Sequence, residues 1–304
     1  NGLCFNYDVK SPMCPSFKYT GDRKHSPKGR AGLMREWLRQ MSCQQMNEQE
    51  LGQQLSAQKV NVGNFATRLW HSWNKNQGRY DFSHEVMDAM QGCLACKACT
   101  VQCPVKVDVP EFRARFIDQY HSRYLRPLKD HAVGYSESYT PMMAKAPGFF
   151  NFWLRQGWLQ SLTQHTLGMV DIPLLSQPTL AQSLRGKYAE GFDLGFLQQL
   201  SAADKAQHVL IVQDPFTSFY EAELIQNLIQ LVEKLGFKPM LLPFKPNGKP
   251  QHVKGFLSKF AKTAQTAADF LNELSQLNIP MIGVEPALVL CYRDEYKQAL
   301  AEKR

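Results

Sequence analysis

No stretch of this chain is apolar over the roughly 18 residues that a bilayer-spanning helix requires, which argues against an integral membrane segment. No secretory leader is visible. There is no Gly-x-Gly-x-x-Gly and no phosphate-binding loop, so no nucleotide fingerprint. Helix-turn-helix, zinc-finger and single-strand-binding signatures are also missing. The net charge of +8 therefore has no nucleic-acid motif to serve, and points instead to an anionic surface or an acidic partner. The sequence also lacks an initiator Met. It opens Asn1-Gly-Leu-Cys4, as if inside a site, and is read as a fragment of a longer polypeptide. Composition is ordinary for a globular protein, with 44% hydrophobic and 20% charged residues. The 304 residues leave room for about two domains.

What the chain does have is concentrated cysteine. Four of its eight cysteines fall in Cys93-Leu-Ala-Cys96-Lys-Ala-Cys99-Thr-Val-Gln-Cys103-Pro104. This C-x2-C-x2-C-x3-C-P spacing is the run with which bacterial ferredoxins hold a [4Fe–4S] cluster. Three cysteines at steps of three on a tight turn can each reach a different iron corner. A zinc knuckle would pair two C-x-x-C units and has no use for a third evenly spaced cysteine. A disulfide framework is disfavoured because the cysteines are too close together to staple distant chain. Half of the cysteines clustered and no leader suggest a reducing, cytoplasmic compartment.

The fourth ligand is open between two cysteines. Cys103 closes the run itself. Cys14-Pro15 echoes Cys103-Pro104, and in two-cluster ferredoxins the C-P cysteine of one run serves the cluster held by the other. Cys14 is then the fourth ligand beside Cys93, Cys96 and Cys99, with Cys103 the alternative. A second cluster near Cys4 is not expected, because the position three residues before it is Asn1. The bland reading of Cys14 is a buried thiol. Cys43 and Cys291 stand alone.

Around the run the pattern is helical. Ser26-Pro27 reads as an N-cap and first helical residue, opening a helix over about 28–41 with Ala31, Met34, Leu38 and Met41 on one face. Further helices are expected at about 47–57, 62–74 and 83–91, the last capped by Ser83 and stopped at Gly92. Asp108, Pro110 and Glu111 start a helix running to about Tyr124. Its Arg113, Arg115 and Arg123, with Arg126 just beyond, are read as a solvated face or as a docking face for an acidic partner. Residues 135–205 are less regular. Their aromatic patch, Phe149 to Leu154 with Trp158 and Leu159, reads as a helix packed on core or on a missing domain, the alternative being an interfacial segment that touches a membrane, at its inner face, or a quinone pool. Asp171 to Pro178 looks like an extended linker.

From residue 206 strands and helices alternate: 209–212, helix 219–235, 237–242, helix 252–275, 281–284. That order predicts an α/β fold with parallel pairing. Asp214 and Glu285 end strands, where such folds bind ligands or simply start loops. The expected fold class is mixed: an α-helical ferredoxin-type [4Fe–4S] domain (1–134), a helical or extended connector (135–205) and an α/β domain with a parallel sheet (206–304).

Several of these segments carry a resemblance. Met13-Cys-Pro-Ser16, His25-Ser-Pro-Lys-Gly-Arg30-Ala, the Cys93–Pro104 run, Asp214-Pro-Phe-Thr217, Lys254-Gly-Phe256 and Gly283-Val-Glu-Pro286 through Tyr292-Arg-Asp-Glu-Tyr296 occur in that order. Together they resemble the C-terminal part of long FAD-linked oxidoreductases, most of all the bacterial iron–sulfur-dependent D-2-hydroxyglutarate dehydrogenase family, with glycolate and D-lactate dehydrogenases as more distant relatives. The resemblance implies an electron-transfer portion that relays electrons from FAD, held in an N-terminal flavin domain of the same polypeptide, to a quinone or a redox protein. It implies no catalytic residue in this fragment, and activity only with the flavin domain. It also likens 206–304 to a cysteine-rich domain, but Pro246-Asn247-Gly248 and Ala287-Leu288 stand where relatives place cysteines, so no second metallocofactor is expected there. The competing reading is a structural or interaction module whose metal only fixes the fold.

Overall fold

The structure is a computed structural model that describes residues 3–43, 62–185 and 191–301. The helix expected over 47–57 lies outside the described residues. The chain is mainly helical with one small parallel sheet. In order it forms α1 (Pro15–Thr20), α2 (Pro27–Cys43), α3 (Val62–Asn76), α4 (Ser83–Gln91), α5 (Ala98–Gln102) and α6 (Val109–Arg123). Then come α7 (Leu128–Gly134), α8 (Ser136–Met143), α9 (Pro147–Leu154), α10 (Gly157–Leu167), α11 (Leu180–Leu184), α12 (Leu194–Gln199) and α13 (Ala202–Gln207). The last stretch is β1 (His208–Val212), α14 (Pro215–Phe219), α15 (Ala222–Lys234), β2 (Lys238–Leu241), α16 (Lys249–Val253), α17 (Leu257–Ser275), β3 (Met281–Gly283), α18 (Pro286–Arg293) and α19 (Glu295–Ala301). None of the described helices is long and apolar enough to cross a membrane. The contacts divide the chain into two compact units, Asn1–Pro127 with His252–Ser258, and Leu128–Gln251 with Lys259–Arg304.

The first unit is built on α2, α4 and α6. Ser26 opens α2 as its sequence implies, its hydroxyl accepting from Gly29 N–H at 3.0 Å. The face that α2 buries is Arg30, Met34, Trp37 and Met41. It is turned one residue from the expected stripe, because the Trp37 ring packs edge-on to Phe116 at 5.0 Å and draws the helix over. Ala31 and Leu38 are left partly buried at the margin. Val86, Met87 and Met90 of α4 and Phe116, Ile117 and Tyr120 of α6 complete this core. Ser83 does not cap α4. Asp81 accepts from Ser83 N–H at 2.8 Å, and the Ser83 hydroxyl accepts instead from Trp37 Nε1–H. Gly92 does end that helix. Asp108 caps α6 as expected, accepting from Glu111 N–H at 3.2 Å.

The arginines of α6, with Arg126 just beyond it, do not share one face: Arg113 and Arg126 turn inward, while Arg115 and Arg123 keep their side chains largely in water. Arg113 is buried and donates to the carbonyls of Met90 and Val253. Arg115 pairs with Glu111 at 2.8 Å and Arg123 with Asp81 at 3.2 Å. Arg126 donates to the carbonyls of Lys254 and Gly255 and lies 4.0 Å over the Phe256 ring. A long guanidinium stem tolerates burial where carbonyls satisfy its fork, which is how α6 clamps the 252–258 segment.

The second unit holds the sheet, in order β2-β1-β3 with both pairings parallel. Successive side chains of β1 alternate between faces. Leu210 packs with Leu197, Met240 and Leu274, while Ile211 packs with Ala222, Ile225 and Ile229. Each such fully buried aliphatic side chain stabilises by about 1.5–3 kcal/mol. The single helix expected over 252–275 is broken into α16 and α17 at Gly255, whose φ of +66° no helix accepts. Residues Asp171 to Pro178 are extended as expected, yet join elements of one unit. Asn151 clasps Leu175 through both backbone groups, and Ser176 N–H donates to Phe219.

Candidate functional site

The cysteine run leaves α4 at Gly92, where Cys93 N–H still reaches back to the Met90 carbonyl at 3.1 Å. Arg113 holds the same carbonyl from the α6 side. The loop then turns twice through left-handed residues, Ala95 at φ 54° and Lys97 at φ 58°. Such a conformation costs a side-chain-bearing residue about 1–2 kcal/mol. The two turns bring Cys93, Cys96 and Cys99 to one side, with Cys99 in the first turn of α5. Cys14, also left-handed at φ 34°, stands just before α1.

These four sulfurs come together across some 80 residues of chain. Cys14, Cys93, Cys96 and Cys99 line one small cavity of about 20 Å³, walled further by Arg30 and Pro110. Cys14 is buried in an apolar cluster with Met13 and Phe17, and Cys99 packs on that cluster. Cys96 is exposed, so the cavity opens to solvent on its side. Burial pushes the Cys99 thiol up to about 11, aided by the neighbouring Cys93, Cys96 and Cys14 sulfurs and opposed by the Thr100 hydroxyl. A thiol whose ionisation is disfavoured in this way, as at Cys99, is one that a cationic metal core would relieve, releasing its proton on binding.

Cys103 is elsewhere. It ends α5 and its sulfur sits in its own turn, where the N–H groups of Val107 and Val105 pull its pKa down. It does not line the cavity. Cys43 is exposed, Cys4 is half-buried in a short turn, and Cys291 is buried with Phe260 and Tyr296 in the second unit.

Among the described residues no group of three or more His, Cys, Asp or Glu is arranged to hold a single metal ion. A single tetrahedral ion needs its thiolates within about 2.3 Å of one point. A cubane presents separate iron corners and takes its thiolates from the rim of a wider space. Cys14, Cys93, Cys96 and Cys99 are set around a cavity and not about one point.

Two further features of the site are set by tertiary contacts. Lys97 and Asp108 face each other at 3.8 Å beside the loop. Arg30 is only 1% exposed. Its Nε donates to Ala89 O at 2.8 Å, Nη2 to Ser16 Oγ at 2.9 Å, and Nη1 reaches Cys14 Sγ at 3.5 Å. A signal for it was present: Arg30 shares the i, i+4, i+7, i+11 stripe of Met34, Trp37 and Met41.

Other candidates are structural. Asp214 caps α14 through Phe216 and Thr217 N–H, and Glu285 caps α18 through Ala287 N–H, so both strand-end acids are helix starters. The Pro246-Asn247-Gly248 turn is filled by the buried Glu137, which accepts from Asn247 and Gly248 N–H at 3.1 and 2.7 Å. A separate cavity of about 450 Å³, lined by Trp70, Arg79, His84 and Tyr124 among others, shares no residue with the cysteine site.

Comparison with known proteins bears on what this site belongs to. All 304 residues align at 57% identity with the D-2-hydroxyglutarate dehydrogenase of Escherichia coli K12. They align at 58% with that of Pantoea ananatis and at 53% with that of Haemophilus influenzae. The chain is similar to part of a D-2-hydroxyglutarate dehydrogenase. It spans about 30% of the length of these curated relatives. No family model matches the chain. No solved structure matches it.

Proposed function

We propose that this chain is the electron-transfer portion of a flavin- and iron–sulfur-dependent 2-hydroxy acid dehydrogenase acting on a D-2-hydroxyglutarate-like substrate. The observation that carries the reading is the convergence of Cys14, Cys93, Cys96 and Cys99 on one cavity, in a chain similar throughout to proteins of that name. On this reading the four cysteines are the ligands of a [4Fe–4S] cluster in a helical, ferredoxin-type domain, and Cys103 is not. When bound, such a cluster supplies reversible one-electron storage. The chain's own residues do the rest. Cys14 ties the N-terminal loop to the helical unit. The left-handed turns at Ala95 and Lys97 shape the loop that carries three of the cysteines. Hydride chemistry at the 2-hydroxy acid belongs to FAD in the remainder of the polypeptide. The acceptor is a quinone or a redox protein, and the setting is cytoplasmic, with contact at the inner membrane face open to test.

Anaerobic purification with iron and sulfide analysis, and EPR after reduction, tests this. About four irons per chain and a reducible signal are expected, lost in Cys14→Ser and retained in Cys103→Ser. Zinc in place of iron would overturn the reading and leave a metal that only fixes the fold. Retention in Cys14→Ser with loss in Cys103→Ser would overturn the ligand assignment alone.

A further inference from the structure

We infer that Arg30 is the built-in counter-charge of the cysteine site and raises the reduction potential of the group held there. This inference rests on the proposed function. Three features of the residue support it. First, Arg30 is a permanent cation, removed from water at 1% exposure. Its guanidinium meets a carbonyl, a hydroxyl and a thiol, none with a full negative charge of its own. No carboxylate pairs with it among the described residues.

Second, Arg30 sits in the first turn of α2, where the helix dipole presents its positive end. A cation there is disfavoured twice, by burial and by the dipole. Both penalties call for an anion at the guanidinium. Third, the side chain is wedged between the two cysteine-bearing segments. Ser16 and Cys14 lie on one side, Ala89 on the other, and a Cβ on Gly92 would stand 3.5 Å from Nη2. The guanidinium lines the cavity itself.

Four thiolates outweigh the charge of a cubane core, so the assembled group is an anion and becomes more negative on reduction. A cation fixed at one ligand sulfur stabilises the reduced form more than the oxidised one. Net charge and hydrogen bonds to sulfur are two of the levers that set such potentials. Lys97 is a weaker source of the same effect, since Asp108 faces it.

The test compares Arg30→Gln, which keeps hydrogen-bonding capacity without charge, with Arg30→Lys, which keeps charge without the fork. Iron and sulfide content, circular dichroism and an EPR-monitored redox titration are measured on anaerobically purified protein. Arg30→Gln is expected to shift the oxidised-to-reduced ratio at fixed potential at least tenfold toward oxidised, a fall of about 59 mV or more for a one-electron couple. Arg30→Lys is expected to stay nearer the parent. Loss of the cluster in Arg30→Gln with retention in Arg30→Lys also supports the charge role. Unchanged potential in Arg30→Gln overturns it and leaves the proposed function standing. Loss of the cluster from both variants with native circular dichroism overturns it too, since shape and not charge would then be required. A parent protein without iron and sulfide overturns the proposed function and this inference together. Where Arg30→Gln does not fold, the parent labelled with 15N-arginine decides. Pulsed EPR should detect 15N coupling at the reduced cluster that disappears in Arg30→Lys, and its absence overturns the inference.

Discussion

Gly255 offers a direct test of how the 252–258 segment is held on α6. Its φ is +66°, and a Cβ placed there would lie 2.8 Å from both Asp118 N and Ile117 Cγ2. The first of these is helix backbone and cannot rotate away. Moving the segment outward instead would stretch the Arg126 donation to Gly255 O at 3.0 Å, and the His252–Glu111 contact at 3.1 Å. Gly255→Ala therefore carries two costs, about 1–2 kcal/mol for a left-handed alanine and about 1–3 kcal/mol for overpacking. A smaller stiffening of the unfolded chain, about 0.4–1 kcal/mol, works the other way. The net is a destabilisation of about 2–4 kcal/mol. Gly21 is the control, because its φ is +65° with nothing within 4 Å of an added methyl, and it lies in the same unit. Gly21→Ala should cost only the conformational part, about 1 kcal/mol. Urea unfolding followed by tryptophan fluorescence measures both. If Gly255→Ala costs no more than Gly21→Ala, the close approach to α6 does not hold in solution and the reasoning is refuted.

Two other predictions follow from buried polar contacts. Burial works to raise the Glu111 pKa, but the hydrogen bonds and charges of His252 and Arg115 outweigh it and hold the carboxyl at about 2, against an ordinary 4.5. A depressed carboxylate stabilises above its unfolded pKa and loses that contribution as pH falls through the folded one. The stability difference between parent and Glu111→Gln should therefore shrink between pH 4.5 and 2, by up to about 3 kcal/mol. A difference constant across that window, measured by denaturant melts at each pH, would argue against the pairing. Asn151→Ala removes both bonds to the Leu175 backbone and leaves two buried groups unmet, for about 2–4 kcal/mol in all. Amide exchange at Leu175 should accelerate markedly in that variant, and unchanged exchange would refute the clasp.

Much of the local structure was legible because it is written in short-range chemistry. Ser26 before Pro27 and Asp108 before Pro110 and Glu111 are caps that need only their immediate neighbours. The order of strand and helix after residue 206 predicted the parallel sheet, because parallel strands require crossovers. The misreadings share a cause. Whether Trp37 or Leu38 faces inward, or whether Arg113 faces water, depends on partners distant in sequence, and a period of 3.6 residues does not name them. A lone glycine inside a helical pattern does not announce a positive φ, so the break at Gly255 was hidden. At the site the three evenly spaced cysteines were plain from their spacing, while the approach of Cys14 is a tertiary fact for which the Cys-Pro echo supplied only a candidate.

The backbone of the site carries its own argument. Six non-glycine residues have positive φ among the described residues, and Cys14, Ala95, Lys97 and Lys106 are four of them. All four belong to the two cysteine-bearing stretches, where no glycine lies between Cys93 and Cys103 to relieve the strain. At about 1–2 kcal/mol each, this is a cost that a loop selected only for stability would shed by taking glycine. Strain of this kind persists where the surroundings over-determine it. Here the surroundings are α4 and α6, joined through Arg113 at the Met90 carbonyl, and α2, whose Arg30 joins α4 at Ala89 to the first stretch at Cys14 and Ser16. The buried cation and the strained turns are two costs of different physical origin meeting at one cavity. A bound anionic group that draws on all four sulfurs would offset both, since it supplies the charge that Arg30 lacks and fixes the turns from within. A buried thiol at Cys14 with no such group would offset neither.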